Sequence, residues 1–261
     1  MANERPFTMI TGASSGLGLE LAKLFAQDGY DIAISGSSER IFEAAATIKS
    51  YGVEAYAHQA DASTYDGVES FWKFVKSKDR KLDAAVLNVG VSIGGSFLEN
   101  DLQEELKLID INISGTVHMA KRIVQDMVPN KKGDLLIVSS LSATLPTPYE
   151  TVYGPSKAFG FMFAESLREE LRDTGVNVTA MLPGATNTDF HHNAGMDSTY
   201  FGDERNKNDK ELVAQQGYDA LKNKWDHVVC GDEATKKAAE ENRTTPEEVK
   251  AAEHAKKAKP Q

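Results

Sequence analysis

The sequence has a single cysteine, Cys230, so no disulfide can form within the chain; this fits a reducing cytoplasm. It has no basic excess: 29 Lys+Arg stand against 39 Asp+Glu, a formal net charge of -10. Without an arginine-rich arm or zinc-type cysteine spacing, nucleic acid is not an expected partner. No apolar run approaches the roughly 20 residues that span a bilayer, and Met1 to Pro6 carries no apolar signal core. No membrane association is expected, and the reading is a cytoplasmic protein. His191 and His192 are adjacent rather than at ligand spacing, so no metal is expected. Internal repeats are absent too. With 261 residues the chain is long enough to bury a sizeable core.

What is present is alternation. Short apolar runs at 7–11, 31–35, 54–58, 83–87, 134–138 and 176–182 are separated by stretches with helical spacing. The helical stretches cover 39–49, 65–78, 102–127 (stopped by Pro129) and 153–173, with Leu17, Leu21, Leu24 and Phe25 marking the first. Strands alternating with helices of ten or more residues imply crossover connections and a parallel sheet covered on both faces. The expected class is α/β: a doubly wound parallel sheet, Rossmann-type, of about seven strands in a single domain.

Two segments carry chemistry. The first strand runs into Gly12-Ala13-Ser14-Ser15-Gly16-Leu17-Gly18 and then a helix. Glycines in that context let the backbone turn tightly and approach a pyrophosphate at the helix N-terminus. The second is SSLSATLPTPYETVYGPSK, residues 139–157. Tyr153 and Lys157 are four apart, hence on one helix face, where the lysine's positive field eases loss of the phenol proton. Taken alone, Tyr-x-x-x-Lys also arises by chance in many soluble chains.

Together these motifs resemble the short-chain dehydrogenase/reductase family. Thr11-Gly12-x3-Gly16-x-Gly18 looks like its cofactor fingerprint, and Ser140 lies thirteen residues before Tyr153, as the family's serine does. Asn112, in INISG, falls at the family's fourth catalytic position; Pro183-Gly184 with Thr188 resembles its P-G-x-x-x-T; Asp61 matches its adenine-contacting aspartate. The resemblance covers about residues 6–190. It departs at Leu87-Asn88-Val89-Gly90, where the family has N-N-A-G, and after residue 231, where a charged tail replaces a glycine-rich ending.

The resemblance implies a catalytic domain over 1–231, with a lid at about 189–225, followed by a charged extension over 232–261. It implies Asn112, Ser140, Tyr153 and Lys157 as the catalytic set, with Asn112 keeping a water that links Lys157 to solvent. Cofactor contacts are implied at Gly12, Ser14, Ser15, Gly16, Leu17 and Gly18, at Asp61, Ala62, Asn88 and Gly90, at Tyr153 and Lys157, and at Pro183, Gly184 and Thr188. The second strand ends without the acid that binds a ribose 2′-hydroxyl. Ser37 stands where NADP-dependent relatives often carry arginine, and Arg40 either reaches a 2′-phosphate or faces solvent. NADP is therefore expected, with NAD as the alternative. Tyr149, Phe190, His191, Met196 and Tyr200 suit a medium-sized, partly apolar carbonyl or alcohol substrate, or serve packing. The tail reads as a solvated or partly ordered extension. Family members commonly form dimers and tetramers through the helical stretches 102–127 and 153–173. The competing functions are an idle nucleotide sensor or scaffold and a 3-oxoacyl reductase.

Overall fold

The computed structural model describes residues 5–260. Seven strands form one parallel sheet: β1 (Phe7–Ile10), β2 (Asp31–Gly36), β3 (Ala55–Gln59), β4 (Ala84–Leu87), β5 (Gly133–Val138), β6 (Val176–Pro183) and β7 (His227–Cys230). Their order is β3-β2-β1-β4-β5-β6-β7. Chain direction across the sheet reverses between β1 and β4, which leaves a crevice beyond their carboxyl ends.

Side chains alternate across the strands and bury two layers. Ile10, Ile32, Ile34, Val86 and Leu136 face α1 (Gly16–Gln27) and α2 (Arg40–Lys49). Met9, Ala33, Ala85, Leu135 and Ile137 face the opposite side, packing with Phe71 and Val75 of α3 (Tyr65–Lys76).

The helical stretch expected over 102–127 is divided. It forms α4 (Leu102–Ile109), a π-helical turn at Asp110–Gly115, and α5 (Thr116–Asn130), which carries Pro129 inside it rather than stopping before it. Lys131 ends α5 in the left-handed region at φ 51°. Next come α6 (Tyr153–Glu170), α7 (Phe190–Asn193) and α8 (Lys210–Lys222). The expected lid over 189–225 divides as well: Val213, Ala214, Tyr218 and Leu221 place α8 in the core beside α1. Only its first part, at α7 and Phe201, borders the crevice.

The tail is not a solvated extension. It forms α9 (Glu233–Asn242), capped by the Asp232 carboxylate, and α10 (Glu247–Ala258). Lys250, His254 and Ala258 of α10 are buried. Their partners are distant in sequence, so composition alone gives no sign of the docking. No helix among the described residues is long and apolar enough to cross a membrane.

Candidate active site

A cleft of about 550 Å3 opens at the crevice. Gly12, Ser14, Ser15, Gly16 and Leu17 line it from the β1–α1 turn, with Ser37 after β2, and Asp61 and Ala62 after β3. Asn88 and Gly90 contribute after β4, Ser140 after β5, Tyr153 and Lys157 from α6, and Pro183, Gly184 and Thr188 after β6.

Ser15, at the start of α1, makes no side-chain cap to the first turn. The amides there remain donors at the positive end of the helix, a fit for a phosphate. Gly18 lies outside the cleft lining and acts through packing: a Cβ there would meet the Gly12 carbonyl oxygen at 2.3 Å and Asn88 Nδ2 at 2.5 Å. Asn88 ties this turn to β4, since its Nδ2 donates to the carbonyls of Thr11 (3.1 Å) and Gly12 (2.8 Å), and its N–H to Thr11 Oγ1 (3.0 Å). Gly18→Ala should accordingly destabilise by about 1–3 kcal/mol through overpacking. The check is a lower denaturant midpoint at unchanged slope.

After β3, the Asp61 carboxylate accepts from the Ser63 hydroxyl (2.7 Å) and Ser63 N–H (2.9 Å), which hold it below the usual aspartate range. Arg40 does not reach the cleft: its guanidinium lies 3.6 Å from Asp189 in an exposed pair. No carboxylate stands at the end of β2, where Ser35, Gly36 and Ser37 line the wall.

Tyr153 and Lys157 meet on one face of α6, with Lys157 Nζ 5.9 Å from the Tyr153 ring centre. Both are buried. Lys157 Nζ donates to the Val138 carbonyl at 3.2 Å, and burial lowers its pKa from 10.5 to about 8. Gly90 makes room for it: a Cβ at that position would come within 2.7 Å of Nζ. Burial pushes the Tyr153 phenol above its ordinary value; the Ser140 hydrogen bond opposes this, and the Glu150 charge adds to it. The sequence leads one to expect a lysine-lowered phenol, whereas here burial is the largest influence on the group and raises it. Ser140 Oγ is fixed by accepting the Ser142 N–H at 3.1 Å.

Asn112 sits in the π-helical turn, a conformation frequent at functional sites. Its Oδ1 accepts the Val91 N–H (2.9 Å), while Nδ2 donates to the Val91 carbonyl (2.9 Å) and to Ser156 Oγ (2.9 Å). Both donors are used, so only Oδ1 has spare capacity for a water. Ser156 in turn donates to the Tyr153 carbonyl at 2.6 Å. No spacing in the sequence singles Ser156 out, although it directly precedes Lys157.

Of the expected substrate-side residues, Phe190 and His191 line the cleft; the Phe190 ring lies 5.4 Å from that of Tyr153. Burial lowers the His191 pKa to about 4. Met196 is buried with Ala194 and Ala258, Tyr149 packs against that cluster, and Tyr200 lies under Lys257. None of those three lines the cleft. Phe201 does, together with Glu150 and, from the tail, Asn242, Lys250 and His254, none of which the sequence motifs marked. One group of possible metal ligands among the described residues, Glu165, Asp226 and His227, lies at the opposite end of β7, with His227 Nδ1 3.0 Å from Asp226 and 3.5 Å from Glu165.

The family model described as "short chain dehydrogenase" matches residues 7–199. The chain belongs to the short chain dehydrogenase family. A "Probable oxidoreductase EphD" of Mycobacterium tuberculosis is 32% identical over 216 residues, covering 80% of this chain and 36% of its own length. The chain thus spans about a third of that curated relative. Among solved structures, a short-chain dehydrogenase from Sphingobium yanoikuyae in complex with NADPH superposes with a TM-score of 0.80 at 24% identity, covering 86% of this chain and 87% of that one. A 3-oxoacyl-[acyl-carrier protein] reductase from Brucella melitensis in complex with NAD gives 0.78 at 22% identity, covering 90% and 99%. Both likenesses concern the fold.

Proposed function

We propose that this member of the short chain dehydrogenase family interconverts a carbonyl and a secondary alcohol with a nicotinamide cofactor, NADPH in preference to NADH. The observation that carries the reading is the convergence of Ser140, Tyr153 and Lys157 on one cleft whose other end is the glycine turn and the open N-terminus of α1. The nicotinamide supplies or accepts the hydride. Tyr153 donates its proton to the carbonyl oxygen during reduction, the task for which a phenol held protonated is suited. Ser140 hydrogen-bonds that oxygen and stabilises its developing charge. Lys157 holds the ribose and restores the proton on Tyr153, and its lowered proton affinity suits transfer near neutral pH. The α1 amides, Ser14 and Ser37 would hold the phosphates, without Arg40. Turnover of a ketone and aldehyde panel with NADPH tests the reading. Complete inactivity combined with NADPH binding would instead favour the sensor.

The cofactor preference has its own check. NADPH should bind more tightly than NADH, since no carboxylate at the end of β2 repels a 2′-phosphate. Fluorescence titration of both cofactors measures this, and tighter NADH binding would refute it. A homo-oligomer in the cytoplasm is part of the same reading. Leu106 of α4, Val117 of α5, and Phe159 and Met162 of α6 are exposed apolar side chains on the helices that would pair; sedimentation gives the assembly state.

A further inference from the structure

We propose that Glu150 and His254 form a positioning pair that fixes α10 as a wall of the substrate half of the cleft and sets the charge felt by Tyr153. The inference rests on the carbonyl-reductase reading above. Glu150 lies three residues before Tyr153, in the turn that leads into α6, and is 3% exposed; His254, on α10, is 4% exposed. Glu150 Oε1 accepts from Ser92 Oγ at 2.8 Å, while Oε2 lies 3.4 Å from His254 Nε2. Both residues line the same cleft as Tyr153. The His254 ring packs against Phe201 at 5.4 Å, and its Nδ1 is buried without a partner.

Two properties of the tail make this pair matter. The first is how little apolar side chain holds the tail: Ala239 and Ala258 are its buried apolar residues. The second is that its remaining anchors are polar. Lys250 Nζ donates to the carbonyls of Thr144 (3.3 Å) and Asn242 (3.0 Å), Asn242 Nδ2 to Thr144 Oγ1 (2.8 Å), and Tyr200 N–H to the Lys257 carbonyl (3.0 Å). Segments with few buried apolar contacts open locally at low free energy. Removing one partner from a buried polar pair leaves the other unsatisfied, so the Glu150–His254 contact weighs heavily in keeping α10 shut.

The same pair bears on the proton chemistry. Titratable groups facing Glu150 are Tyr153 from α6 and His254 from α10, the latter also disfavoured as a cation by Lys257. Burial raises the Glu150 carboxyl to about 7 and lowers the His254 imidazole to about 4. Near neutrality His254 is uncharged, so the two meet at 3.4 Å as a polar contact and not as an ion pair. As Glu150 ionises, its charge raises the Tyr153 pKa further. That preserves the acid needed for reduction and opposes the phenolate needed for alcohol oxidation.

The test uses the full chain with three variants. Glu150→Gln keeps the bulk and an acceptor for Ser92 Oγ and removes the charge, so the rising limb of alcohol oxidation should move to lower pH by about half a unit or more. Amide exchange of α10 should stay as in wild type. His254→Leu keeps the bulk and removes the contact; α10 exchange should rise about tenfold, with KM raised more than kcat is lowered and the NADPH Kd unchanged. His254→Gln should restore both. An unmoved pH limb in Glu150→Gln, or unchanged α10 exchange in His254→Leu, overturns the proposal. Should His254→Leu not fold, Glu150→Gln decides alone. If wild type turns over no carbonyl compound, the functional reading fails separately, and α10 exchange still decides the pair.

Discussion

Tyr153→Phe is expected to reduce turnover by about 10⁴-fold, the top of the range for general acid–base catalysis, while NADPH affinity stays within about a factor of three, a change worth well under 1 kcal/mol. The substitution removes one oxygen and keeps the ring packed against Phe190 at 5.4 Å. Stability should change by no more than about 1 kcal/mol, because Ser140 Oγ retains its bond from the Ser142 N–H. No replacement acid is at hand. Glu150 is tied to Ser92 and His254, and Lys157 to the Val138 carbonyl. Single-substrate kinetics with a cofactor titration on the same preparation measures both quantities. More than about a tenth of wild-type turnover would contradict the assigned role.

Lys157→Met should lose turnover to a similar extent, about 10³–10⁴-fold, and weaken NADPH binding as well, because one cation serves both the ribose and the phenol. It should also make the protein more stable at neutral pH. A buried lysine with one carbonyl partner pays a desolvation cost that an apolar chain of similar length avoids. The pH dependence follows from the sign of the shift. Burial lowers the folded pKa from 10.5 to about 8, so above about 8 the unfolded chain binds more protons than the folded one. Wild-type stability therefore gains with rising pH between about 8 and 10.5. The advantage of Lys157→Met should be full at pH 7 and shrink by pH 9.5. Thermal melts at those two values are the check, and an advantage that grows with pH would overturn the explanation.

The sheet was legible because each strand is a short apolar run bounded by turn residues, the pattern a doubly covered parallel strand requires. The placement of the glycine turn and of Ser140, Tyr153 and Lys157 along one cleft was legible because it depends on local spacing. Other features depend on partners far along the chain. The π-helical turn is stitched by Asn112 to Val91 and Ser156, 21 and 44 residues away. In α10, a mean composition of Lys, Glu and Ala conceals Lys250 and His254, whose burial depends on Thr144, Phe201 and Glu150. Arg40 has a partner of the same kind: Asp189, nearly 150 residues on, stands 3.6 Å from its guanidinium. Sequence periodicity records a residue's own element and seldom the element that will meet it.

The bonds from Asn88 to Thr11 and Gly12 span 77 and 76 residues, and they impose an order on how the protein is made. When β1 leaves the ribosome its glycine turn has no support, and β2, once paired beside it, supplies one backbone bond, from the Ala13 N–H to the Ser35 carbonyl at 2.9 Å. The Asn88 bonds follow only when β4 inserts on the other side of β1. Parallel pairings at such separation are slow, because chain closure must precede the contact that rewards it. Until then β1 presents an open edge, the kind of surface through which nascent chains associate. Nicotinamide nucleotide should therefore do little for the early intermediate and act late, by drawing off the population in which β4 has already docked.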